Sequence, residues 1–116
     1  MPSPKQVTAI FDIGKTNKKF LLFDENYAVI EKHQTKLEQT MDDHGDSCED
    51  LEELESWIKS QFQKAQEKYQ IRALNFSAYG ASFIHIDQNG RSVTPLYNYL
   101  KDYPEDLLDQ FYESVG

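Results

Sequence analysis

The sequence predicts an α/β protein in which a mixed sheet of about five or more strands carries one long helix across a face. Three observations lead there. Short strand-like runs open the chain at Val7 to Ile13, Phe20 to Phe23 and Tyr27 to Thr35. One stripe of apolar residues at helical spacing follows them. After it come a further apolar run and the hairpin signal Asn89-Gly90.

Each element has its own signal. Val7 to Ile13 and Phe20 to Phe23 are the first two strands, with a polar bend between them. Asp24-Glu25-Asn26 makes the next turn, and Tyr27 to Thr35 alternates with Tyr27, Val29 and Ile30 inward, so three antiparallel strands stand in a row. Lys36 to Glu49 is a polar connection. From Asp50 onward, Leu51, Leu54, Ile58, Phe62, Ala65 and Tyr69 form the apolar face of an amphipathic helix of about five turns. Ser47 is its expected N-cap, Asp50 lies in its first turn and Trp57 flanks the stripe. Ala73 to Ala78 is a short strand that opens into Tyr79-Gly80-Ala81-Ser82. Phe83 to Asp87 is extended, Gln88-Asn89-Gly90 turns, and Val93 to Tyr99 returns. Pro104 to Val115 begins a second helix with Leu107, Leu108, Phe111 and Tyr112 on its apolar face. This order suits an RNase-H-like half domain.

Composition narrows the function. The 116 residues make one domain at most, small for an enzyme that binds both a nucleotide and a second substrate. A net charge of −8 without a basic stripe argues against nucleic acid or an anionic membrane as partner. The lone Cys48 cannot form an internal disulfide, and neither a long apolar run nor a leader is recognisable, which points to the cytoplasm. Asp42, Asp43, His44, Asp46, Cys48 and Glu49 raise the question of a metal site, but their spacing matches no regular ligand pattern. They read better as a solvated acidic loop.

The chemistry concentrates in Phe11-Asp12-Ile13-Gly14-Lys15-Thr16-Asn17-Lys18-Lys19. A carboxylate leaving the end of a strand can hold Mg²⁺, and a glycine two residues on lets backbone N–H groups approach phosphoryl oxygens. Asp12 and Gly14 fit those roles. Thr16 adds a hydroxyl, and Lys15, Lys18 and Lys19 add charge, although strand alternation lets at most one of Lys18 and Lys19 reach a ligand on a given face. An ordinary hairpin with a polar turn explains the nine residues equally well. A Walker A loop is excluded, since the glycine it needs is replaced by Ala9. A haloacid-dehalogenase nucleophile is disfavoured because Gly14 stands where its second aspartate would be.

Taken with the element order, three segments resemble the N-terminal part of the FGGY family of carbohydrate kinases, in the actin-like ATPase superfamily. Asp12-Ile13-Gly14-Lys15-Thr16 is similar to the family's first phosphate motif. Cys48-Glu49-Asp50-Leu51 with Trp57 is similar to the entry of its first long helix, a structural feature. Phe76 to Asp87, followed by Asn89-Gly90 and Pro95, resembles the sugar-touching strand end of rhamnulokinase- and fuculokinase-type members.

The resemblance implies ATP- and Mg²⁺-dependent phosphorylation of a sugar or polyol hydroxyl. By matching position, Asp12 would organise Mg²⁺; Gly14, Lys15, Thr16, Asn17 and Lys18, running on to Lys19, would form the phosphate turn. Tyr79, Gly80 and Ser82 would border the sugar. Tyr79 and Ser82 depart from the residues usual there, as does Tyr97-Asn98-Tyr99, so the sugar's identity is open. His85 does not align with a substrate-side histidine, and His33 and His44 have weaker claims. The general-base aspartate and the nucleotide domain are expected beyond Gly116. Residues 1–116 are therefore expected to be an incomplete N-terminal domain, inactive alone, whose acidic surface and exposed cleft face leave poor solubility or self-association, such as a homodimer, open. A non-catalytic sugar-sensing module and another actin-like ATPase are the alternative readings.

Overall fold

A computed structural model describes residues 3–97, 101 and 105–115. Its main sheet has four strands, β1 (Lys5–Ile13), β2 (Lys18–Phe23), β3 (Val29–Thr35) and β6 (Tyr69–Ala78), in the order β3-β2-β1-β6. β1, β2 and β3 are antiparallel neighbours, while β6 runs parallel to β1 after the crossover helix α1 (Leu51–Lys68). The sheet is mixed, as expected. Three short strands, β4 (Thr40–Met41), β5 (Ser47–Glu49) and β7 (Leu96–Tyr97), form a separate antiparallel sheet in the order β4-β5-β7. The helix α2 (Glu105–Val115) follows. Asn98 and Tyr99 of the expected returning strand, and Pro104 of the expected helix, lie outside the described residues.

The core sits between one face of the sheet and α1. Val7, Ala9 and Phe11 of β1 and Phe20 and Leu22 of β2 are buried on that face, as strand alternation requires, with Ala65 of α1 above them. Trp57, Ile58 and Phe62 complete the contact. Trp57 does more than flank the stripe: its ring meets Phe11 edge-on at 5.8 Å, while Phe20 and Phe76 lie against the same ring at 4.4 and 5.3 Å. Phe11 is thus the hinge pin of the core.

Four expectations change. Asp50, not Ser47, caps α1, its carboxylate accepting the Glu53 N–H at 3.1 Å; Ser47 is claimed by β5. Tyr69 is not helical. Its N–H closes the last turn on the Ala65 carbonyl, and the chain passes directly into β6, which is four residues longer at its start than the apolar run Ala73 to Ala78. Tyr27 points outward, 80% exposed at φ 62° in the turn, and Val29 is exposed too. The register shift between Leu22 and Phe23 resets the alternation, leaving Ile30 as the inward residue. Finally, the hairpin around Asn89-Gly90 forms an isolated Ile86–Ser92 bridge, its turn and a His85 N–H to Thr94 Oγ1 bond rather than a ladder, and the end of the returning segment pairs with β5 instead.

Candidate functional site

β1 and β6 are parallel and in register to their ends, Asp12 beside Ser77 and Ile13 beside Ala78. The turn Gly14 to Asn17 and the segment Tyr79 to Ser82 therefore leave the same carboxyl edge of two adjacent strands. In open α/β sheets that edge is where ligands bind.

The turn is tight. Gly14 N–H donates to the Asn17 carbonyl at 3.0 Å, and a Cβ on Gly14 would stand 2.7 Å from that same oxygen. Glycine is required here by close approach of the backbone rather than by a left-handed φ. Asn17 is braced from β3, its side-chain oxygen accepting from Gln34 Nε2 at 3.1 Å. Thr16 is exposed at the tip and Lys15 is half-buried.

Register decides between the two lysines. Phe11 pairs with Phe20 on the core face, and Ile13 pairs with Lys18, so Lys18 projects to the core side. It is 1% exposed, donates to the Lys15 carbonyl at 3.1 Å and pairs with Glu49 at 3.5 Å. Lys19 pairs with Asp12 and shares the opposite, open face. With Ser77 across β6, these residues make a polar row Lys19-Asp12-Ser77 over three strands. Among the described residues, no hydrogen bond or ion pair engages the Asp12 carboxylate. A half-buried carboxylate left with free lone pairs suits a cation.

The second segment is differently arranged. The Tyr79 hydroxyl donates to Glu49 Oε1 at 3.0 Å, Gly80 has open space where a Cβ would be, and Ser82 Oγ is buried with no partner among the described residues. Ser77 and Glu49 were not visible from sequence as site neighbours, because both arrive through pairing between distant strands. Counting strand alternation from Asp12 could have favoured Lys19 over Lys18 had the hairpin register been known.

The acidic connection folds for its own reasons. Asp42 Oδ1 accepts the N–H groups of His44 and Asp46 at 2.9 and 2.8 Å, and Gly45 takes φ +82° to close the β4–β5 turn. The Tyr97 hydroxyl donates to the other Asp42 oxygen, which lowers the Asp42 carboxyl below its usual range and pushes the Tyr97 phenol up to about 12. No group of three or more His, Cys, Asp or Glu is placed to hold a metal among the described residues. Burial, with Asp42, Asp50 and Glu49 adding negative charge, raises the Cys48 thiol.

A mixed sheet with a crossover helix and a tight glycine turn at its carboxyl edge makes an RNase-H-like arrangement. Residues 7–102 match the N-terminal domain of the FGGY family of carbohydrate kinases, and the chain belongs to that family. Solved structures agree in fold. A carbohydrate kinase from Novosphingobium aromaticivorans superposes with a TM-score of 0.80 at 20% identity, over 91% of this chain and 22% of that one. Gluconate kinase from Lactobacillus acidophilus gives 0.76 at 16%, over 95% and 23%. Plasmodium falciparum glycerol kinase with ADP gives 0.72 at 16%, over 97% and 24%. The chain thus spans under a quarter of the length of these structures. A comparison with curated protein sequences gives no match. No helix among the described residues is long and apolar enough to cross a membrane.

Proposed function

We propose that this chain supplies the phosphate turn and the acceptor-side strand end of an ATP-dependent sugar kinase. The observation that carries the reading is the shared carboxyl edge of β1 and β6, which sets Asp12 and the Gly14 turn beside Tyr79 to Ser82. Asp12 would hold Mg²⁺, whose charge would neutralise the phosphoryl oxygens of a bound nucleotide. Lys19, rather than Lys18, would join it, a reading supported by the register that puts Lys19 on the same open face as Asp12. The backbone of Gly14 to Asn17, with Lys15 and the Thr16 hydroxyl, would line the phosphates. Gly80 and Ser82 would border the sugar, Ser82 through its unpartnered hydroxyl.

The Phe76 to Asp87 segment supports a rhamnulokinase- or fuculokinase-type member, and the departures at Tyr79 and Ser82 leave the sugar itself open. Residues 1–116 alone are proposed to be inactive. Transfer to an alcohol needs a carboxylate to take the hydroxyl proton. Asp12 is reserved for the metal and Glu49 is held by Lys18 and Tyr79, so neither is placed for that task. A cytoplasmic setting accords with the buried, unpaired Cys48.

The test is an ATP-consumption screen of the full-length protein against aldoses, ketoses and polyols. Turnover with one sugar, lost in Asp12→Ala, is expected. A full-length protein that binds a sugar yet never turns over would favour the non-catalytic sensing module.

A further inference from the structure

Glu49 is 5% exposed and uses both carboxylate oxygens on side chains from opposite ends of the site. Oε2 pairs with Lys18 Nζ at 3.5 Å, and Lys18 also holds the Lys15 carbonyl of the β1–β2 turn at 3.1 Å. Oε1 accepts the Tyr79 hydroxyl at 3.0 Å, from the segment that follows β6. Lys18, Glu49 and Tyr79 lie far apart in sequence, on or beside three different strands.

We infer that Glu49 is a positioning residue that couples the β1–β2 turn to the segment after β6, so that displacement of Tyr79 is felt at the Lys15 carbonyl. The physical reason is desolvation. A buried carboxylate cannot replace a lost partner with bulk water, so weakening one contact shifts it against the other. Lys18 is buried as well and meets the same constraint, which passes the shift on to the turn backbone. On the kinase reading proposed above, the two ends are the phosphate and sugar sides, and the tie makes binding at one reciprocally sensitive to the other. Neither Lys18 nor Glu49 need touch a ligand for this.

The experiment is amide hydrogen exchange on the full-length protein carrying Tyr79→Phe, which removes one hydroxyl and leaves the ring. Exchange at Gly14 to Asn17 is expected to be about threefold to tenfold faster, carried through Glu49 and Lys18. A change confined to residues 79–82 would overturn the coupling. A second background guards against a general loosening: in Lys18→Met/Glu49→Leu, an apolar pair replaces the charges, and adding Tyr79→Phe should then leave the turn unmoved. If the turn still responds there, the signal does not pass through Glu49 and the inference fails. Because exchange is read without turnover, a protein that phosphorylates no sugar leaves this result standing, and a silent turn leaves the kinase reading standing.

Discussion

Lys18 and Lys19 are adjacent and chemically identical, yet their neighbours give them separate tasks. Removing the Lys18 charge leaves Glu49 buried without its cation, so Lys18→Met is expected to cost about 3–5 kcal/mol in urea unfolding, most of it recovered in Lys18→Met/Glu49→Leu. On the kinase reading proposed above, Lys19→Met should leave stability nearly unchanged and lower turnover of the full-length protein, because Lys19 shares the open face with Asp12. Gly14→Ala forces a Cβ to within 2.7 Å of the Asn17 carbonyl, and we expect a loss of about 1–3 kcal/mol together with weakened nucleotide binding. These contrasts separate residues that hold the fold from residues proposed to face a ligand. The sequence alone marked Asp12, Gly14 and Thr16 as candidates, since their chemistry is compressed into one turn. It could not show which lysine faced which way, because that depends on register, nor that Glu49 would accept Lys18 and Tyr79 from a distance.

Elements whose signals are local were read well, and those set by distant pairing were not. The helical stripe from Leu51 to Ala65 needs only its own periodicity, and α1 forms over it. Tyr69 continued that period but begins β6, because its ring and Ile71 pack on the sheet core while its hydroxyl donates to Glu31 of β3. That bond holds the Glu31 carboxyl below its usual range and raises the Tyr69 phenol. β5 and β7 were missed as partners, since neither is long enough to announce itself. Their sheet is fastened by the bond from Tyr97 to Asp42, which yields a pH prediction at this scale. A phenol raised to about 12 from its ordinary 10 stabilises the fold in its neutral form, fully below pH 10 and decreasingly as pH rises through about 12. Asp42 has the opposite sign: its carboxyl is lowered, so its contribution is present above the ordinary carboxylate range and is lost as pH falls through the lowered value. Carbon-13 NMR of labelled tyrosine should find the Tyr97 titration displaced upward and returned toward 10 in Asp42→Asn.

At the scale of the whole molecule, the chain is long for its mass. Its radius of gyration is 18.7 Å and its longest dimension 68 Å, where a compact chain of this length would have a radius near ~13 Å. The excess comes from elements that bury little. Every described residue of α2 is exposed, including Leu107, Leu108, Phe111, Tyr112 and Val115, and Leu74 and Phe76 of β6 are 41% and 51% exposed. β6 is also the edge of the main sheet, with one side of its backbone unpaired among the described residues. Apolar side chains spaced along α2 on one helical face, together with an open strand edge, are surfaces that water leaves unsatisfied. Residues 1–116 expressed by themselves are therefore expected to bind a hydrophobic dye such as ANS and to associate with rising concentration. Leu107→Glu/Phe111→Glu should reduce both effects without loss of the α1–sheet core, because neither residue belongs to it. Dye binding and a scattering profile that did not respond to this pair would locate the exposed apolar surface outside α2, on β6 or on the segment carrying Phe83, Ile86 and Val93.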